Sequence, residues 1–154
     1  MNLPAQPDFR SPQFLSQHMR WVMAFYEDRA HDPSGGMYHF YLDDGTVYDT
    51  RTRHLVSATR FVITHAMLYR LTGEARFQAG VQHAIAFLRQ AFRDPATGGY
   101  AWQIDWHAGR ATVLDDTRHC YGMAFVMLAY AHAIQSGMPE ARAWLAETFD
   151  LAEK

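Results

Sequence analysis

The chain has 154 residues, of which 49% are AVILMFWYC and 14% aromatic, and its formal net charge is −2. Such a composition buries a core and excludes a disordered chain, and the near-balance of charge leaves no basic field for nucleic acid. One cysteine, Cys120, excludes an internal disulfide framework and a cysteine-built zinc site, and no run of 18 apolar residues suggests a membrane span.

The start, MNLPAQPDFRSPQF, has no cationic segment followed by an apolar run, so no secretory leader is expected. The expectation is a single cytoplasmic domain over residues 1–154. A first helix is predicted from Ser11 to about Ala30, with Ser11 as N-cap and Pro12 at the first helical position. His31-Asp32-Pro33-Ser34-Gly35-Gly36 ends it. Asp43-Asp44-Gly45 is a turn signal between runs rich in Tyr, Phe and Val, which predicts a small hairpin or long loop over Met37–Thr50.

A second helix is predicted from about Arg53 to Thr72, stopped by Gly73, and a third from Glu74 to Phe92. In the third, Phe77, Val81, Ala84, Ile85, Leu88 and Phe92 follow helical spacing along one face. Asp94-Pro95-Ala96-Thr97-Gly98-Gly99 opens a loop carrying Tyr100, Trp102 and Trp106. A fourth helix runs from about Thr117 to Ser136, and a fifth from near Pro139 to the end. Helices two and four are apolar on nearly all sides, so they are expected to be buried on nearly all sides. The order is then outer, inner, outer, inner, outer.

The chain repeats itself. Asp32-Pro33 and Asp94-Pro95 are 62 residues apart, and Arg53-His54 and Arg118-His119 are 65 apart. Each unit, approximately 32–93 and 94–154, reads as a Gly-Gly loop with a short hairpin, an inner helix and an outer helix. Two-helix units at this spacing stack as helical hairpins, in a superhelix or a closed ring. Six such units need roughly 370–390 residues, so this chain holds about two and a half hairpins of a ring. Its open edge would leave an apolar patch in water. Either the chain is the first part of a longer barrel, which is the preferred reading, or copies pair to cover the edge.

Arg60 sits among Ala58, Phe61 and Val62. A charge there either points into a cavity to hold a sugar oxygen or forms an ion pair with Asp49 or Asp116. Tyr121, near the start of helix four, either donates to a sugar hydroxyl or is a core tyrosine. Trp102 and Trp106 either stack on a sugar ring or pack the loop. His54, His65 and His119 lie on or near inner helices, where hydrogen-bonded core roles are commoner. Asp43, Asp44, Asp115 and Asp116 could serve a glycosidase as paired carboxylates, or simply form turns and cap helix four. No metal-ligand spacing and no nucleotide-binding loop occur, so neither a metal nor another cofactor is indicated.

The run Thr52-Arg53-His54-Leu55-Val56-Ser57-Ala58-Thr59-Arg60-Phe61-Val62 resembles the N-acylglucosamine 2-epimerase family, including its aldose–ketose isomerase branch acting on mannose and related sugars. The Gly98–Trp102 loop and the stretch Asp116–Phe125 resemble the same family, in the same order. Met123 departs from the pattern, since many members carry His or another polar residue there. The resemblance implies an all-α fold of (α/α)6 barrel type, here a partial toroid, and sugar isomerisation or epimerisation through an enediolate. It implies that Arg60 and Tyr121 bind the monosaccharide. The histidine acid/base pair is expected beyond Lys154, so this chain alone is expected to bind part of the sugar without turnover. Other readings are a glycoside hydrolase or lyase on the same toroid, or a non-catalytic helical scaffold.

Overall fold

The computed structural model describes residues 6–153. The first five residues of the segment expected to lack a leader lie outside them. Helix α1 (Pro12–Tyr26) starts where its capping signal places it. The Ser11 hydroxyl accepts a hydrogen bond from the Phe14 N–H at 3.2 Å, and Pro12 opens the helix. It buries Met23 against Leu68 and Phe77 and ends well before Ala30.

Strands β1 (Phe40–Tyr41) and β2 (Val47–Asp49) form the hairpin expected around Asp43-Asp44-Gly45. Strand β3 (Thr52–His54) occupies the residues read as the first turn of helix two. Helix α2 (Leu55–Thr72) begins only after it, because the Thr52–His54 backbone is engaged in a ladder with β4 (Gln103–His107). The Leu55 N–H then donates to the Trp102 carbonyl at 3.0 Å. Gly73, at φ 70°, closes α2 in the left-handed conformation that glycine adopts without strain.

Helix α3 (Ala75–Phe87) passes into a π-helical turn over Leu88–Phe92, where an uninterrupted helix was expected. After Gly99 the chain forms the short hairpin that the repeat reading gives each unit, β4 with β5 (Arg110–Asp115), and β3-β4-β5 make one antiparallel sheet. Helix α4 (Cys120–Gln135) starts three residues later than expected, after an extended N-cap at His119, and α5 (Ala141–Ala152) follows.

Helix α2 packs against α3 and α4, and α4 against α5. The main core joins Val62, Ala66, Val81, Ile85, Leu88, Val126 and Tyr130 from these helices with Ile104 and Trp106 from β4. The architecture is helical hairpins with two small sheets capping one end. No helix among the described residues is long and apolar enough to cross a membrane.

Candidate functional site

The N-termini of α2 and α4 meet at Trp102. His54, the N-cap of α2, and His119, the N-cap of α4, each place a ring 4.4 Å from the Trp102 ring, edge to face. Trp102 is held by backbone bonds on both sides: its carbonyl accepts from Leu55 N–H and its N–H donates to the Asp115 carbonyl at 2.8 Å. Gly122 gives the indole its slot, since a Cβ there would lie 3.2 Å from Trp102 Cζ3 and 3.0 Å from Leu55 Cδ2. Burial, and next the nearby Arg60 charge, hold the His54 imidazole below its ordinary value, so it is a neutral ring at pH 7.

Arg60 and Tyr121 converge on one partly buried ring. The Arg60 guanidinium stands 5.3 Å from the Phe125 centroid, and the Tyr121 ring 4.9 Å from it. Both residues are exposed, Tyr121 by 55%. The ion pair considered for Arg60 with Asp49 or Asp116 does not form among the described residues. Asp49 instead accepts the N–H groups of Arg51 and Thr52, each at 2.8 Å. Tyr121 is likewise no core tyrosine. On its α1 side, Arg60 lines a groove of about 330 Å³ with Val22, Tyr26, His39, Tyr41 and Phe61.

The buried charge pair lies elsewhere. Arg53 is fully buried, and its guanidinium donates to Asp32 Oδ2 at 2.6 Å with the Tyr38 ring 5.0 Å away. The signal for it was present: Asp32 and Arg53 both recur, as Asp94 and Arg118, and those two also face each other, at 3.9 Å. His39 was also missed. Its Nδ1 accepts the His54 N–H at 2.9 Å and so caps α2, whose N-cap residue offers no side-chain bond of its own.

The remaining candidates are structural. Trp106 is buried on Phe87 and its Nε1–H donates to Ser34 Oγ at 2.9 Å. His65 Nδ1 donates to the Phe61 carbonyl at 2.7 Å. Asp44 and Asp115 accept turn N–H groups, from Thr46 and Thr117, and α4 is capped at His119 and not by Asp116. No three His, Cys, Asp or Glu side chains gather as metal ligands among the described residues.

Residues 35–154 match the profile of the N-acylglucosamine 2-epimerase family. The chain belongs to that family. It is 46% identical over 147 residues to a D-mannose isomerase of Marinomonas mediterranea, covering 96% of this chain and 36% of that protein. A cellobiose 2-epimerase of Dictyoglomus turgidum is 24% identical over 106 residues, covering 69% of this chain and 26% of the relative. Among solved structures, a D-mannose isomerase superposes with TM-score 0.90 at 46% identity, over 97% of this chain and 37% of that one. The cellobiose 2-epimerase of Bacillus thermoamylovorans gives TM-score 0.79 at 20% identity, a likeness of fold. The fold is thus that of the family's (α/α)6 barrels, of which this epimerase-family chain spans little more than a third.

Proposed function

We propose that this chain carries the Arg60–Tyr121 part of a sugar isomerase or epimerase site. The favoured reaction is aldose–ketose isomerisation of a monosaccharide such as mannose to fructose; 2-epimerisation of N-acylglucosamine is the related alternative. The observation that carries the reading is the 46% identity to D-mannose isomerase across nearly the whole chain, with Arg60 and Tyr121 converging on Phe125 at an open face.

In such a reaction the open-chain aldose loses its C2 proton to a base. The enediolate regains a proton at C1, and the remaining hydroxyl proton passes from O2 to O1. Arg60, a permanent cation, stabilises the developing oxyanion, and Tyr121 donates to a neighbouring hydroxyl. The N-termini of α2 and α4 add partial positive charge toward the same rim. The proton-transferring histidines are expected on further helices of the barrel, because His54 and His119 are taken up against Trp102. A cytoplasmic location belongs to the same proposal.

The test is calorimetric titration of the pure chain with D-mannose. Arg60→Ala should weaken binding about 10–100-fold, the worth of a hydrogen bond to a charged group, and Tyr121→Phe by less. Affinity unchanged in both variants would overturn the assignment.

A further inference from the structure

The repeat fills one space between neighbouring helices in its second half and leaves it open in its first. Thr52-Arg53-His54 recurs 65 residues on as Thr117-Arg118-His119, so His65 of α2 corresponds to Tyr130 of α4. Asp32-Pro33 recurs 62 residues on as Asp94-Pro95, so Glu27, just after α1, corresponds to Arg89, just after α3. Gly73 and Gly137, both at positive φ behind a helix, are 64 apart. At that spacing the buried Phe77 and Ala84 of α3 match the buried Ala141 and Thr148 of α5, and Gly80 matches Trp144. The contacts agree. Trp144 lies against Tyr130, with ring centroids 5.7 Å apart, as Gly80 lies against His65, where a Cβ would overlap the ring.

In the second unit the Trp144 indole occupies the space, with the Arg89 guanidinium 4.2 Å from its ring. In the first unit glycine stands there, and a cavity of about 320 Å³ is open between α1 and α3. Met23, Met37 and Phe77 give it apolar walls, and the rings of His31 and His83, stacked 4.1 Å apart, line it too. An apolar cavity of ~150 Å³ admits benzene, so this one has room for a two-ring aromatic. His65 supplies a directed polar group. Its Nδ1–H is engaged by the Phe61 carbonyl at 2.7 Å, which leaves Nε2 an acceptor, and nothing among the described residues donates to it. Burial holds this imidazole neutral at pH 7. Glu27, at the cavity wall, is already paired with Arg76 at 2.8 Å, and the three histidines do not gather as metal ligands among the described residues.

We infer that this cavity binds a planar aromatic ring bearing an N–H donor, of the indole class, with that N–H on His65 Nε2. The ring takes the place that Trp144 holds in the second unit. The walls lie within residues 23–37, 65 and 76–83, so no further hairpin of the barrel is needed to form the site. His65 stands five residues beyond Arg60, about 140° round α2, so the site is separate from the Arg60–Tyr121 rim and does not rest on the sugar reading.

The probe is indole, with 1-methylindole as the same ring lacking the donor. In nitrogen-15 NMR of the labelled chain, the His65 Nε2 signal should move saturably with indole while the Tyr121 and Phe125 signals stay in place. 1-Methylindole should bind roughly 3–10-fold more weakly, the effect of losing one neutral hydrogen bond. Ala79→Trp, at an exposed position on the cavity wall, should leave the backbone spectrum folded and abolish indole binding by filling the space. Indole that binds without moving His65 Nε2 would overturn the inference, as would equal affinity for the two indoles, which needs no variant to measure. Unchanged indole affinity in folded Ala79→Trp, or no saturable response to indole at all, would overturn it as well.

Discussion

Two buried residues carry the sharpest expectations at the scale of single side chains. Arg53 and Asp32 form a desolvated pair with a 2.6 Å bond, so removing one partner strands a charge. Arg53→Met should cost about 3–5 kcal/mol in denaturant unfolding, and Asp32→Ala a similar amount, with the double substitution costing less than their sum. Arg118→Met, at the half-exposed counterpart, should cost under about 1 kcal/mol. Equal losses at both positions would contradict the distinction. His39 is held neutral by burial first, then by Arg53 and His54, which push it down to about 3. The unfolded chain takes up that proton near pH 6.5, so folded stability should be full above that pH. It should fall as the pH drops from 6.5 toward 3, and His39→Gln should flatten the slope. Melting curves at pH 7.5, 6 and 5 check the sign; a profile unaltered by His39→Gln would refute the assignment.

At the scale of elements, the helices were legible because capping and periodicity agree with tertiary burial. Ser11, Pro12 and Gly73 each do in the structure what their chemistry predicts. The starts of α2 and α4 were not legible, since Thr-Arg-His followed by an apolar run continues a helical pattern. Residues 52–54 are held extended by the distant ladder with Gln103–Asp105, together with the bonds of Thr52 N–H to Asp49 and His54 N–H to His39. The β4–β5 hairpin was legible only through the repeat, which gives each unit a short hairpin: its own turn, Ala108-Gly109, lacks a strong two-residue signal and places Ala108 at φ 51°. Arg60 and Tyr121 were legible as candidates, but their meeting at Phe125 depends on how α2 crosses α4. The contact of α2 with α3 depends on Gly80, where a Cβ would overlap the His65 ring. Gly80→Ala should destabilise the chain by about 1–3 kcal/mol, against almost nothing for Gln82→Ala on the exposed side of the same helix. A neutral Gly80→Ala would show that α2 and α3 are less closely apposed than described.

At the scale of the molecule, an epimerase-family fold is present in little more than a third of its usual length. The rim where α2 and α4 begin gathers His54, Trp102, His119, Arg60 and Tyr121. The central claim is that this rim receives a sugar through Arg60 and Tyr121 and leaves proton transfer to residues elsewhere in the barrel. The most direct measurement is an NMR titration of the isotope-labelled chain with D-mannose, following both the protein signals and the sugar. The account predicts saturable shifts concentrated at residues 54–64 and 119–125, with no D-fructose formed. Shifts scattered away from that rim, or D-fructose accumulating with the pure chain, would contradict it.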